Sequence, residues 1–304
     1  MHLPVRRVAA TLTAVALVLS ACGATASPAP PSPSAVASQT GVFPVIVSRE
    51  QVVGRNRILF SFLDASGTKP LGAPDRTAKV HFSGPGGQSV NAPDGTFMWA
   101  IEGVSGVYVT TADFPVAGAW MGEFTTAAPG SPEATIPFSF DVKTDAHVVE
   151  PGEQAPPVET PTLASVGGDV AKVSTDPRPD KAFYEVSVAA QLAAHKPFVL
   201  VFATPKFCQT AICGPTLDSV KTVAAAHPGI TFINVEPYQL EFVDGQLQPV
   251  LSTSGQLQPV PATDAYGLLS EPYTFVVGGD GVVKSSFELI FTPQEIETAL
   301  AGLS

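Results

Sequence analysis

The chain has 304 residues, which suits two domains, with 45% hydrophobic residues, 30 prolines and a formal net charge of −11. So many prolines, about twice the usual share, indicate proline-rich linkers rather than a collagen-like or wholly disordered chain. The acidic balance, with no Lys/Arg cluster beyond the N-terminus, excludes a nucleic-acid-binding surface and a basic membrane-binding face.

Arg6 and Arg7 precede an apolar run over 8–19. That run is too short to cross about 30 Å of hydrocarbon as a helix, so it reads as a signal peptide. It leads into Leu19-Ser20-Ala21-Cys22, which resembles the lipobox of bacterial lipoproteins. The resemblance implies a signal peptide over 1–21, a lipid on Cys22, and a protein tethered to the cell membrane and facing outside the cytoplasm. Disulfides persist there. With Cys22 given to lipid, Cys208 and Cys213 remain as an isolated pair among three cysteines. Residues 22–40, rich in Pro, Ser and Ala, read as an extended, disordered stalk.

Over 41–148 short apolar segments alternate with turn residues. The pattern predicts strands at 43–47, 57–63, 77–83, 96–101, 106–112, 118–126 and 134–142, separated by Gly84-Pro85-Gly86-Gly87, Asp94-Gly95 and similar turns. In Arg57-Ile58-Leu59-Phe60-Ser61-Phe62-Leu63 the even positions are apolar, the period of a half-buried strand. About seven such strands and no helical period predict a β-sandwich. Gly106-Val107-Tyr108, then Phe114 and Gly118-Ala119-Trp120, resemble extracytoplasmic immunoglobulin-like domains of the YtkA/FixH type. Tyr108, Phe114 and Trp120 read first as core aromatics. Met98, Met121 and His81 carry soft-metal donors, but their scatter reads as structural.

Residues 149–165 form a second proline-rich stretch and the expected linker. Over 166–304 the pattern changes. Ser187 caps a helix over 187–195, the run 198–202 is apolar on both faces as a buried strand requires, and a helix runs over 215–226 until His227-Pro228-Gly229. A strand over 230–235, a long loop over 236–263, and a hairpin around Gly278-Gly279-Asp280-Gly281 follow. Thr292-Pro293-Gln294-Glu295 opens the last helix as a capping box. The long loop repeats a hexapeptide, 245–250 and 255–260, which is too few copies for a solenoid. His195 and His227 fall at helix ends, where an imidazolium complements the dipole.

This order of elements, with the cysteines between a central strand and its helix, resembles the thioredoxin fold. The chain is thus expected to pair an N-terminal immunoglobulin-like β-sandwich with a C-terminal α/β thioredoxin-like domain. Cys213-Gly214-Pro215-Thr216 is similar to the thioredoxin site, and Glu271-Pro272 to its cis-proline loop. By this resemblance Cys213, Cys208 and Pro272 are catalytic, and Gly214, Pro215 and Glu271 position the substrate. A cysteine at a helix mouth meets unpaired N–H groups that favour its thiolate, so Cys213 reads as the nucleophile and Cys208 as the resolving thiol. Two cysteines at i and i+5 of one helix sit roughly 8.7 Å apart, beyond disulfide reach. Either the helix unwinds locally or Cys208 lies on the preceding loop, which the break at Thr204-Pro205 and the helix start at Pro215 favour.

The implied activity is thiol–disulfide exchange on protein thiols or disulfides outside the cytoplasm, with no cofactor and no bound metal. The reverse assignment resembles atypical two-cysteine peroxiredoxins, but no arginine follows Arg178. Copper-handling Sco proteins are similar in placing a cysteine pair here, and a Cu(I) carrier is the alternative. Their late-loop histidine is missing, because none follows His227. A non-catalytic module with a structural disulfide is the third reading.

Overall fold

The computed structural model describes residues 41–303. The expected signal peptide, Cys22 and the stalk lie outside them. Nine strands build the N-terminal part. One sheet has the order β1(Val42–Ile46), β3(Gly54–Asp64), β7(Ser105–Phe114), β6(Thr96–Ile101). The other has the order β2(Gln51–Val52), β9(Ser131–Lys143), β8(Gly118–Ala128), β4(Thr77–Ser83), β5(Ser89–Asn91). The even-numbered side chains of β3, Ile58, Phe60 and Phe62, pack with Phe82, Phe114, Trp120 and Phe124 in one core, so the sandwich is present. Tyr108, Phe114 and Trp120 are buried in that core, as their pattern indicated. β2 and β5 escaped the sequence reading because strands of two and three residues are too short to show alternation.

Beyond the sandwich, a mixed four-stranded sheet has the order β11(Thr231–Val235), β10(Phe198–Phe202), β14(Tyr273–Val277), β15(Val283–Glu288). β10 runs parallel to β11 and antiparallel to β14. Val199 and Val201 face a core shared with α2(Cys213–Ala226) and α4(Pro293–Ala301), while Phe198, Leu200 and Phe202 face Val188 of α1(Val188–Ala193) and Ala262 of α3(Pro261–Ala265). The capping box at Thr292 and Glu295 is formed.

The expected α/β thioredoxin-like class is corrected. The described residues form a β-rich chain of fifteen strands in four sheets. Of the four α-helices, only α2 and α4 exceed six residues. One cause is the stretch 236–263, expected as a loop: it holds the hairpin β12(Leu240–Val243) and β13(Gln246–Pro249), then α3. The Gln-Leu-Gln-Pro sequence of the first copy hid a strand, because proline and polar flanks suit a loop as well as an edge strand.

The proline-rich segment 149–165 packs along the C-terminal sheet. Gly152 N–H donates to Val283 O (2.8 Å), Val283 N–H to Glu153 O (2.9 Å) and Ala155 N–H to Gly281 O (2.9 Å). Gly267, with φ of +65°, lets the His147 backbone approach where a Cβ would collide.

The two parts meet along an apolar seam of Leu59, Met98 and Val107 from the sandwich with Ile212, Leu289 and Ile290 from the C-terminal part. Leu59, an odd position of β3, is fully buried because this seam covers it. Arg57 borders the seam. Its Nε lies 2.6 Å from Glu295 Oε1, and its Nη2 donates to Ile290 O (2.9 Å). Burial alone would raise Glu295, but hydrogen bonding and charge from Arg57 outweigh it and hold the carboxyl below its ordinary range.

Leu59→Ala leaves a cavity in this seam. It is expected to lower the unfolding free energy by about 2–5 kcal/mol in urea denaturation. A loss under about 1 kcal/mol would show that the seam contributes little to stability.

Candidate functional site

β10 ends at Phe202, and the chain then loops through Thr204-Pro205 to Cys208. α2 begins at Cys213, two residues before the expected start, so Gly214 and Pro215 lie in its first turn. Proline is tolerated there because the first N–H groups of a helix have no partner within it. Cys208 is on the preceding loop, as expected. The two cysteines form a disulfide, with Cα atoms 5.9 Å apart. Between them Ala211 adopts φ of +62°, a left-handed conformation that a residue with a Cβ rarely takes. This turn brings Cys208 back over the helix mouth.

The two sulfurs occupy different environments. Cys213 is fully buried, with Leu217 and Val201 in its core. Cys208 is half-buried. The Cys213 backbone N–H donates to Cys208 Sγ (3.2 Å), and Thr210 Oγ1 lies 3.3 Å from the same sulfur. The N–H expected to favour a Cys213 thiolate thus points at Cys208. Thr216 turns away and donates to Leu289 O (3.1 Å).

The Glu271–Pro272 peptide is cis, and the Glu271 side chain is buried beside the disulfide. Its Oε1 accepts from Gln209 N–H (2.9 Å) and its Oε2 from Tyr238 OH (2.7 Å), while Thr210 Oγ1 donates to Glu271 O (3.0 Å). The cysteine loop is therefore tied to the proline loop by two hydrogen bonds, and Tyr238 adds a third to Glu271 from outside the loop. Burial, then the hydrogen bond and charge of Glu271, push the Tyr238 hydroxyl well above its ordinary range, so it stays a donor. Tyr238 also accepts from Gln209 Nε2 (2.9 Å). A cavity of about 170 Å³ opens beside these groups, lined by Arg49, Gln209, Thr210, Tyr238, Ser270 and Glu271. Arg49 comes from the sandwich, and its backbone N–H donates to Glu288.

Sequence reasoning missed Tyr238, Gln209 and Arg49. Tyr238 lay in the presumed loop and Arg49 in the other part of the chain, so neither carried a local signal. The duplicated hexapeptide also frames this region. Its first copy contains β13 and pairs with β12, while the second meets Tyr238 and Gln239 through the Tyr238–Pro259 bridge and a bond from Gln239 N–H to Gln258 O (2.8 Å). Lys206, two residues before Cys208, donates to Gln246 Oε1 (2.8 Å) on this lobe.

Other candidates are dispersed. Met98 is buried in the seam, whereas His81 and Met121 lie on the other sheet, with His81 Nδ1 2.7 Å from Asn91 Oδ1. His227 caps α2 and pairs with Glu297 (2.8 Å), and His195 follows α1. Among the described residues, no helix is long and apolar enough to cross a membrane.

A second carboxyl is buried nearby. Glu236 accepts from Thr175 N–H (2.6 Å), and Thr175 Oγ1 in turn accepts from Lys206 N–H (3.2 Å). Burial, reinforced by Asp176, pushes Glu236 up to about 7 against the hydrogen bonds from Thr204 and Thr175.

No family model matches the chain, and no curated protein does. Among solved structures, a DUF4426 family protein from Pseudomonas aeruginosa PAO1 is 14% identical, with 34% of this chain and 91% of that chain covered at a TM-score of 0.27. The Lin-41 filamin domain is 17% identical, with coverage of 34% and 93% and a TM-score of 0.22. At these scores neither likeness bears on fold or function.

Glu236 makes stability depend on pH. The folded chain holds its proton to about pH 7, whereas an unfolded glutamate releases it near the ordinary value of 4.5. This contribution is full below the unfolded value and is lost as pH rises through the folded one, on the order of 3 kcal/mol in all. Glu236→Gln is expected to remove that slope in urea denaturations spanning the range; an unchanged slope would assign the dependence to other groups.

Proposed function

We propose that the chain performs thiol–disulfide exchange with extracytoplasmic protein partners through Cys208 and Cys213. The observation that carries this reading is the asymmetry of the pair: a half-exposed sulfur that receives a helix N-terminal N–H, over a sulfur sealed from solvent. Exchange needs one sulfur open to in-line attack and one that leaves and returns within the protein. On this reading the roles expected from the sequence are exchanged: Cys208 is the attacking and attacked sulfur and Cys213 the resolving one.

The oxidised protein accepts a partner thiolate at Cys208 Sγ. A partner–Cys208 mixed disulfide forms, the Cys208–Cys213 bond breaks, and Cys213 leaves as a thiolate that takes up a proton. A second partner thiolate then attacks the partner sulfur of the mixed disulfide, forming the partner's disulfide and releasing Cys208 as a thiolate. The Cys213 N–H stabilises that charge. The reverse sequence oxidises the protein and reduces the partner. Glu271, Tyr238 and Gln209 form the polar wall against which the partner docks. Gly214 lacks a side chain at the helix mouth, and a Cβ there would meet open space.

The reading of Leu19-Ser20-Ala21-Cys22 as a lipobox supports a lipid on Cys22 and a membrane-tethered protein outside the cytoplasm, where such a disulfide is kept in play. The kinship of the sandwich to YtkA/FixH-type domains, read from Gly106 to Trp120, belongs to the same proposal.

In cells producing the full chain, Cys213→Ser is expected to accumulate mixed disulfides on Cys208, seen as reductant-sensitive adducts on non-reducing gels. Cys208→Ser is expected to form none and to lose disulfide reduction in vitro. Adducts on Cys213 in the Cys208→Ser chain would restore the roles expected from the sequence, and exchange surviving both substitutions would overturn the function.

A further inference from the structure

We propose that reduction of the Cys208–Cys213 bond creates a three-ligand site for a zinc-class divalent cation, held by the two thiolates and the Glu271 carboxylate. One ligand atom from each of the three residues lies within 4.8 Å of the others. Tetrahedral zinc, with Zn–S near 2.3 Å and Zn–O near 2.1 Å, sets its ligand atoms roughly 3.5–3.8 Å apart. Freed side-chain torsions of Cys208 and Glu271 close that difference once the sulfur–sulfur bond is gone.

The surroundings already hold the ligands in place. Glu271 Oε1 accepts from Gln209 N–H and Oε2 from Tyr238 OH, which leaves each oxygen a further lone pair for a cation. Cys208 Sγ receives the Cys213 N–H. Outer-shell bonds of this kind fix ligand orientation and are part of metal affinity. The metal-ligand cluster found among the described residues consists of these three side chains. The fourth zinc position therefore opens on the half-exposed Cys208 side, where water or a partner's donor completes the coordination.

The donor set selects the cation. Two thiolates are too soft for magnesium or calcium, and a carboxylate oxygen suits zinc better than Cu(I). Two thiolates and a carboxylate concentrate three negative charges, most of which a divalent cation neutralises. The chemistry balances with a thiol reductant: the disulfide and two external thiols give two cysteine thiols and one external disulfide. The cation then displaces the two thiol protons into solvent. Metal-bound thiolates are poor nucleophiles, so the loaded site is held reduced and idle until the cation leaves. This inference rests on the proposed exchange only in requiring a reducible bond.

The test uses the full chain carrying Cys22→Ala, which leaves two thiols, reduced with a phosphine so that no exchange activity is needed. Titration with zinc against a chromophoric chelator is expected to give one zinc per reduced chain, and cobalt(II) to give a thiolate-to-cobalt charge-transfer band. Glu271→Gln is expected to weaken zinc binding roughly a hundredfold, and Glu271→Asp, which keeps a carboxylate, to recover part of that loss. Circular dichroism confirms that each variant is folded. Equal zinc affinity in Glu271→Gln, equal binding by the oxidised chain, or no binding by the reduced chain overturns the inference. Disulfide reduction measured without metal reports separately on the exchange function: zinc binding without exchange sinks that function alone, and exchange without zinc binding sinks this inference alone.

Discussion

Ile212 serves two structures at once. Its backbone caps α2 immediately before Cys213, and its side chain is buried in the seam with Leu59, Met98 and Val107 of the sandwich. The loop that carries the disulfide is thus clamped at its C-terminal end by a different part of the chain. Leu289 strengthens the same clamp: it lies in the seam, its carbonyl accepts Thr216 Oγ1, and its N–H donates to Pro272 O (2.8 Å). One apolar contact therefore fixes the helix mouth and the proline loop together. Burying side chains of this size contributes about 1.5–3 kcal/mol each, more than the rim ion pairs that surround them. The sandwich is accordingly part of the site's scaffold, and Arg49 brings it to the edge of the cavity beside Glu271.

That clamp sets up an electrostatic conflict at the sulfurs. The Cys213 N–H favours a Cys208 thiolate by an amount of the order of 0.3–2 kcal/mol, the range for a helix terminus. Glu271 opposes it, with an oxygen within 4.8 Å of each sulfur. At an effective dielectric near 20, like charges at that separation repel by about 3 kcal/mol. Three negative charges gathered in this space would therefore repel one another. The site is relieved in three ways: by protonating a thiol, by closing the disulfide, or by admitting a cation. In the proposed exchange cycle the first two are its working states, and the proposed cation site is the third.

How far this was legible in the sequence follows from the range of each signal. Period-two patterning and turn residues located the long strands of the sandwich, and the aromatics at 108, 114 and 120 are in its core. The capping box at Thr292 and the loop position of Cys208 followed from local rules. The class of the C-terminal half did not, because a likeness centred on a few residues around the cysteines was extended over a segment that also holds a hairpin and two helices of six residues or fewer. The partners of the disulfide were also hidden. Gln209 and Tyr238 are 29 residues apart and Gln209 and Glu271 are 62 apart, and no local pattern encodes such pairings. One clue was available and went unread: Leu59 is an apolar side chain on the nominally outward face of β3. A break in alternation is weak evidence, yet at Leu59 it marks the seam where the C-terminal part packs.

The asymmetry of the cysteines is the reason the proposed roles differ from the sequence rule for the nucleophile. That rule places the reactive sulfur at the residue that begins the helix, since the free N–H groups gather there. Here the helix N–H is directed at Cys208, while the Cys213 side chain is buried. A residue at the first helical position presents its own N–H outward along the axis, while its side chain here turns into the core with Leu217 and Val220. The N–H of Cys213 therefore serves the residue that the loop folds back over it, and the left-handed turn at Ala211 delivers Cys208 to that place. Five residues of spacing are what this return requires: enough chain to leave the helix mouth, reverse, and set a second sulfur above the first within disulfide reach. The same reversal places Gln209 and Thr210 against Glu271, so the spacing between the cysteines also brings a carboxylate beside them.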